Sequence, residues 1–242
     1  MLALDGVLPF ELSIPGQVFG AANEVASLEH YRIQVCAPHR TVTTSSGHGS
    51  FHIQLQHGLE AVAQADTIIL PAHADFLDTP PAPVTLALRA AAQRGARLAS
   101  ICVGAFTLAA TGLLDGQRAT THWQHAHELS RRHPQVEIDS NVLFIDNGAV
   151  LTSAGVAAGL DLCLHLVHQD LGADMAAATA RATVMPLQRD GGQAQFIEHT
   201  WPATTGTSTL ESTMRWMSAN VHRALSLQDI AEHAALSVRS LN

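Results

Sequence analysis

The sequence predicts an α/β protein: a three-layer αβα sandwich on a mostly parallel sheet, with a partial all-α helix-turn-helix tail. Short runs of β-branched and apolar residues alternate with longer runs rich in alanine and leucine. That order favours parallel strands whose two faces are covered by helices. A pair of capped, amphipathic segments near residue 242 predicts the tail. A chain of 242 residues is long enough for one main domain plus such an appendage.

The elements follow from local patterns along the chain. Leu2-Ala3-Leu4 has the character of a short first strand, and Asp146-Asn147-Gly148 between two apolar runs predicts a hairpin with one antiparallel strand. The other predicted strands are Tyr31 to Ala37, Thr67 to Ala72, Arg97 to Ile101, Val142 to Ile145 and Val150 to Thr152, and the predicted helices are Val84 to Arg94, Gly104 to Leu113, Gln124 to Arg132, Ala157 to Leu171 and Leu210 to Val221.

Composition argues against several classes of function. A formal net charge of -8 disfavours nonspecific nucleic-acid binding by the body of the protein. The apolar runs are too short to cross a bilayer, and no signal-peptide pattern is present, so we expect a cytoplasmic protein. Cys36, Cys102 and Cys163 are widely spaced and odd in number, which favours reduced thiols over a disulfide framework.

Cofactor and metal motifs are not evident. The sequence has neither a P-loop nor a complete G-x-G-x-x-G, so we expect no nucleotide cofactor. His122, His125 and His127 suggest a zinc site, but their spacing puts only the first pair on one helical face. Because zinc needs three or four converging ligands, a surface or structural cluster is favoured and no metal is expected.

Cys102 is the main candidate for chemistry. Arg97 to Ile101 has the pattern of a buried strand and runs into Cys102-Val103-Gly104, which opens a helix. A thiol on such a sharp turn would be exposed above the sheet, and the helix N-terminus would favour its thiolate. Gly104 would permit close packing of helix on strand. The alternative is that Cys102 is a small buried residue, which is also our interpretation of Cys36 and Cys163.

The tail has the pattern of a helix-turn-helix. Leu227, Ile230, Ala231 and Ala234 would line one face of a helix that Ser226 caps, with Asp229 returning a hydrogen bond to the cap. Ser237 would cap a second helix opening at Val238. Two capped helices joined by a short turn are typical of a DNA-binding motif, although two short packing helices would give the same pattern.

Two resemblances extend this interpretation. Glu11, Cys102 and His122 fall where the DJ-1/PfpI, or class I glutamine amidotransferase-like, superfamily keeps a glutamate, an elbow cysteine and a histidine. Gly112 to Gly116 and Thr152 to Asp161 resemble the branch of that superfamily fused to AraC-type readers, and Leu225 to Leu241 resembles the first half of an AraC-type DNA-binding domain. The resemblances imply a DJ-1-like, flavodoxin-like sensor domain at 1–185, a linker at 186–209 and an incomplete AraC-type helix-turn-helix domain at 210–242.

The function implied is that of a transcriptional regulator sensing a small metabolite, by analogy an amino acid or a quaternary amine. A homodimer is expected, with DNA bound only through a complete C-terminal domain. The expected DNA-binding residues are Ser237, Arg239 and Ser240, and the expected ligand-binding residues are Asp5, Glu11, Cys102, Val103 and His122, with the backbone N–H groups of Cys102 and Val103 open to a carboxylate.

The alternative function is a cysteine-dependent enzyme, such as a hydrolase, deglycase-like enzyme or hydratase. Cys102 would be the nucleophile, and His122 or Glu11 would handle protons. Glu11 could instead sit near a helix start for the sake of the helix dipole, and His122 could be a structural histidine. The sequence leaves these possibilities open.

Overall fold

The computed structural model describes residues 1–45, 47, 50–186, 189–195, 212–213, 216–217, 219–220, 223 and 225–241. The chain forms two units, Met1–Ile197 and Glu198–Asn242. The sensor-domain boundary at residue 185 stays a prediction.

A four-stranded sheet forms the centre of the first unit. Its strands are β3 (Thr67–Leu70), β4 (Arg97–Ile101), β8 (Val150–Ser153) and β7 (Phe144–Asp146), in that order across the sheet. The pairs β3–β4 and β4–β8 are parallel, whereas β7 is antiparallel to β8. The predicted hairpin at Asp146 to Gly148 and the mostly parallel sheet are both confirmed.

Helices cover this sheet and complete the predicted αβα architecture. Helices α1, α5 and α6 pack against one another, whereas α2 packs with the 3-10 helix at Leu59–Gln64 and α3 packs on β3 and β4. The helices are α1 (Pro9–Ala26), α2 (Ala82–Gln93), α3 (Gly104–Ala109), α4 (Trp123–Arg132), α5 (Ala157–Leu171) and α6 (Ala173–Ala182), and the remaining short strands are β1 (Thr41–Thr43), β2 (His52–Gln54), β5 (Arg118–Ala119) and β6 (Glu137–Ile138).

Helix α1 was not predicted, because Pro15 lies inside it. An interior proline removes a backbone hydrogen bond and normally breaks a helix. Here Pro9 occupies the first turn, where proline is tolerated, and Ile14, Val18 and Ala22 are buried at four-residue spacing. Burial of that face outweighs the lost hydrogen bond and carries Glu11 on the first turn of the helix.

The predicted strand at Tyr31 to Ala37 is wrong. Only Cys36 pairs in strand fashion, through isolated bridges to Leu2 and His57. Leu2 in turn donates its amide to the carbonyl of Ile69 at 2.9 Å. The sheet is thus extended by single-residue bridges beyond β3, and Leu2-Ala3-Leu4 forms no regular strand either.

The second unit contains the two helices predicted for the tail, α7 (Leu227–His233) and α8 (Val238–Leu241). The predicted capping box of α7 is confirmed, since the hydroxyl of Ser226 accepts from the Asp229 amide and the Asp229 carboxylate accepts from the Ser226 amide. Ala231 and Ala234 are buried, whereas Leu227 of the same predicted face is 53% exposed. Half of the predicted helix Leu210 to Val221 lies outside the described residues.

Candidate functional site

Cys102 lies on a strained turn between β4 and α3. Its φ angle is 57°, in the left-handed region that residues other than glycine and asparagine avoid. Gly104 opens α3 so close to the neighbouring strand that a Cβ there would lie 2.2 Å from the carbonyl oxygen of Leu70. The sharp strand-to-helix turn and the close packing at Gly104 are therefore as the sequence predicts, but Cys102 is 7% exposed, so the prediction that its thiol would be exposed above the sheet is wrong.

Glu11 is buried beside Cys102. Its side chain is on the first turn of α1, and the residue is 1% exposed. One carboxylate oxygen accepts from the amide of Ala72 at 3.1 Å and the other from the amide of Val156 at 3.3 Å. The carboxylate also forms a hydrogen bond with the thiol of Cys102. Glu11 thus joins the ends of β3 and β8 to the cysteine turn.

The surroundings of Cys102 favour the protonated form of its thiol. Burial raises its pKa well above the usual range, and the charge of the neighbouring Glu11 raises it further. A hydrogen bond from the Val103 amide opposes these effects but is smaller. The prediction that the start of α3 would favour a thiolate is therefore wrong, because burial and a like charge outweigh the helix N-terminus.

The two backbone amides predicted for carboxylate binding have partners within the protein. The N–H of Cys102 donates to the carbonyl of Ser153 at 2.9 Å. The N–H of Val103 donates to the Cys102 thiol, and Val103 itself is 4% exposed. The expectation that the N–H of Cys102 is open to a ligand is therefore wrong, since it holds the turn to the end of β8 instead.

His122 caps α4 near this turn. Its Nδ1 accepts from the amide of Gln124 at 3.4 Å. Burial and the nearby His125 lower its pKa, which favours the neutral ring. Its neighbour Thr121 donates its hydroxyl to the Cys102 carbonyl at 2.8 Å. His122 is thus tied to the cysteine turn through the backbone, while burial, Glu11 and Val103 set the pKa of the thiol.

Asp5 lies on the exposed loop before α1, where its carboxylate accepts from the amide of Thr43 at 3.0 Å. His73 is a buried residue that sequence reasoning missed, and its Nε2 lies 3.0 Å from the hydroxyl of Thr107 on α3. Burial lowers the pKa of His73, with Asp75 and Asp78 opposing this effect. Its position directly after a predicted strand, at the same sheet edge as Cys102, was the available signal.

A row of rings runs from the buried Phe106 of α3 to half-buried rings at the start of α4. Phe106 and Phe76 have ring centroids 4.8 Å apart, and Phe76 and His125 are also 4.8 Å apart. His122 lies 5.9 Å from His125 and 5.8 Å from Trp123. We call these five rings the aromatic row. Their faces carry negative electrostatic potential, which attracts cations.

Two cavities lie on the first unit. One of about 280 Å³ is lined by Phe76 and Phe106 of the aromatic row together with Asp78 and Arg132. The other, of about 630 Å³, lies where β3 and β4 begin and includes Cys36 and the ion pair of Arg97 with Asp170. Cys102 lines neither of these two cavities.

Within the described residues, no group of three or more histidine, cysteine, aspartate or glutamate side chains is arranged to hold a metal ion. None of the described helices is both long and apolar enough to cross a membrane.

The raised thiol pKa predicts a loss of stability at alkaline pH. A raised folded-state pKa gives stability that is complete below the unfolded-state pKa of about 8.5 and is lost as pH rises toward the folded-state value. We expect the stability advantage of the wild type over Cys102→Ser to shrink by about 1.4 kcal/mol per pH unit above about pH 9. Urea unfolding at pH 7, 9 and 10 measures this; equal slopes in both proteins would contradict it.

Comparison with known proteins places these features in context. The DJ-1/PfpI family matches residues 1–169. HTH-type transcriptional regulator ArgR from Pseudomonas aeruginosa is 35% identical over 156 residues, covering 64% of this chain and 47% of that protein. HTH-type transcriptional regulator GbdR from Pseudomonas aeruginosa is 25% identical over 241 residues, covering 99% of this chain and 65% of that protein. The chain thus spans about half to two thirds of the length of these relatives.

The fold also matches solved structures. The crystal structure of an AraC family transcriptional regulator from Pseudomonas putida superposes with a TM-score of 0.65 at 19% identity. The match covers 75% of this chain and 96% of that one. At this identity the likeness establishes the fold, which is the α/β architecture that the sequence predicts.

Proposed function

Since the chain belongs to the DJ-1/PfpI family, we propose that its first unit is the ligand-sensing domain of a transcriptional regulator. An AraC-type helix-turn-helix domain, of which the tail is a part, would be the DNA-binding output. The observation that carries the proposal is the setting of Cys102. It lies on the strained turn typical of a nucleophile, but it is buried beside the buried carboxylate of Glu11, and both raise the pKa of its thiol. A protonated thiol is a poor nucleophile, so the site is better suited to binding than to covalent chemistry.

The effector we propose is a small cation, a quaternary amine or an amino acid with a cationic side chain. The aromatic row offers π faces, and Asp75 and Asp78 place negative charge near its Phe76 end. His122 and His125 are neutral and do not repel a cation. The site would comprise this row together with Asp5, Glu11, Cys102 and Val103.

The output side of the proposal rests on the tail. Ser237 accepts from the amide of Ser240 at 3.1 Å and so caps α8, on which Arg239 is exposed. A cap and an exposed arginine at a helix start are typical of residues that contact DNA. We propose that Ser237, Arg239 and Ser240 take this role in a complete reader, in a cytoplasmic homodimer.

A thermal-shift screen of quaternary amines and amino acids tests the effector proposal. A ligand at 100 times its dissociation constant stabilises a protein by about 2.7 kcal/mol. We expect Phe76→Leu to weaken binding of the best cation about threefold to thirtyfold, because it removes one π face and keeps an apolar side chain. Phe51→Leu is the matched control, since Phe51 is exposed and lies on the loop before β2. No stabilisation by any cation, or equal losses in both variants, would refute the proposal.

A second candidate is a cysteine-dependent hydrolase or hydratase. The observation in its favour is the strained elbow with Glu11 hydrogen-bonded to the Cys102 thiol. Turnover of a panel of carbonyl and peptide substrates by the purified chain tests it, with Cys102→Ala as the comparison. Activity that is present in the wild type and lost in Cys102→Ala would establish the enzyme; activity that is unchanged in the variant would exclude Cys102 as nucleophile.

A further inference from the structure

Residues 189–195, which the sequence assigns to the linker, lie on the first unit. Arg189 pairs with Asp161 of α5 through two contacts, Nε to Oδ1 at 3.0 Å and Nη2 to Oδ2 at 2.5 Å. Asp161 is 5% exposed. Because a buried carboxylate needs a compensating partner, this pair anchors the start of the segment on α5.

The middle of the segment covers the edge of the sheet. The carbonyl of Gly191 accepts from the amides of Leu143 and Phe144 at 2.7 and 3.3 Å. A Cβ at Gly191 would lie 2.8 Å from the ring of Phe144. Since β7 is an edge strand, these hydrogen bonds satisfy backbone groups that would otherwise stay unpaired.

The end of the segment is inserted beside the candidate site. Gln195 is buried, and its amide nitrogen lies 3.1 Å from the carbonyl of Thr121, 3.0 Å from that of Val142 and 3.3 Å from the hydroxyl of Thr120. Its amide oxygen accepts from the N–H of Trp123 at 3.1 Å. A single side chain therefore holds the backbone on both sides of His122.

The contacts of Gln195 continue to the cysteine turn. Thr121, whose carbonyl binds the Gln195 amide, donates its hydroxyl to the carbonyl of Cys102 at 2.8 Å. In the sequence, the second unit begins at Glu198, shortly after Gln195. The segment that leads to the tail is thus in direct contact with the loop that carries two rings of the aromatic row.

We propose that residues 189–195 form a latch that couples the sensing site to the tail. In this inference, which rests on the proposed function, effector binding and latch docking stabilise each other. When Gln195 is docked, it holds the backbone around His122 and Trp123 in the conformation that binds the effector. A bound effector holds the same backbone in the conformation that binds Gln195. Coupling of this kind is reciprocal, so it can be measured from either end.

Hydrogen–deuterium exchange of the full chain tests the coupling without any effector. In Gln195→Ala we expect amide exchange to rise by about tenfold in the latch and also in residues 119–125, because buried hydrogen-bonding groups lose their partner. Gln195→Glu, which keeps the acceptor for Trp123 and loses the donor, should give a smaller rise in both places. Gln193→Ala is the matched control, since Gln193 is exposed and close by. A rise confined to the latch, or an equal rise in the control, would overturn the coupling.

The reverse direction uses Thr121→Val, which removes the hydroxyl bound to Cys102 and keeps a branched side chain. Faster amide exchange in the latch of this variant supports the proposal, and an unchanged exchange rate in the latch overturns it. Tetramethylammonium serves as a probe of the effector class: slower exchange in both loop and latch supports the coupling, and protection of the loop alone overturns it. If this probe protects nothing, the proposed effector class fails, while the variants still decide the coupling.

Discussion

Replacing Gly155 with alanine is expected to destabilise the first unit by about 3 to 5 kcal/mol. Gly155 has a φ angle of 89°, and a Cβ there would lie 2.2 Å from the Cβ of Cys102 and 2.8 Å from its sulfur. Because Cys102 is itself held in a strained conformation, neither residue has room to move. Urea unfolding followed by circular dichroism measures the loss.

Gly148→Ala separates backbone strain from the clash. Gly148 has a similar φ angle of 81°, but a Cβ there meets nothing within 4 Å. We expect this variant to lose only about 1 to 2 kcal/mol. The double variant Cys102→Gly with Gly155→Ala should recover about 1 to 3 kcal/mol relative to the sum of the single changes, because the two nearest clashing atoms, Cβ and Sγ of Cys102, are gone. Additive losses would show that Gly155 does not pack on Cys102.

Replacing Glu11 with glutamine is expected to accelerate alkylation of Cys102 by about tenfold or more at pH 8. The charge of Glu11 raises the pKa of the thiol, so its removal lowers that pKa and increases the thiolate fraction. The amide oxygen of glutamine can still accept a hydrogen bond from the N–H of Ala72 or of Val156. We therefore expect Glu11→Gln to be more stable than Glu11→Ala, which offers no acceptor. Mass spectrometry of iodoacetamide-treated protein gives the rate at each cysteine.

Glu60→Gln is the control for this measurement. Glu60 is exposed and contributes to the raised pKa of Cys36, not to that of Cys102. It should therefore alter labelling of Cys36 alone. If Glu11→Gln leaves the labelling rate of Cys102 unchanged, the carboxylate does not govern the thiol, and our argument against a nucleophilic cysteine loses its basis.

The sheet was predictable because its strands are buried on both faces and thus stand out as short apolar runs. Arg97–Ile101 and Val150–Ser153 show this most clearly. Helix α1 was missed because an interior proline masks its pattern, and its stability comes from packing against α5 and α6. The opposite happened at Tyr31 to Ala37. Its composition suits a strand, but only Cys36 of this segment pairs with another part of the backbone.

The candidate site was predictable in its position but not in its electrostatics. The strand-to-helix turn places Cys102, and the resemblance adds Glu11 and His122. Whether the thiol is ionised depends on burial and on the distance of Glu11, which sequence spacing does not contain. The latch was likewise hidden, because Arg189 and Gln195 look like linker residues until their partners Asp161 and Thr121 are brought beside them.

Protection of thiols by an effector tests the sensing site most directly. Cys102 marks the proposed site, and Cys36 lines the larger cavity where β3 and β4 begin. Both thiols are buried, and neither is in a disulfide bond. Alkylation of both can therefore be followed in one sample at pH 9, with and without the best-binding cation. We predict slower labelling of Cys102 and unchanged labelling of Cys36; protection of Cys36 with no effect on Cys102 would contradict the account.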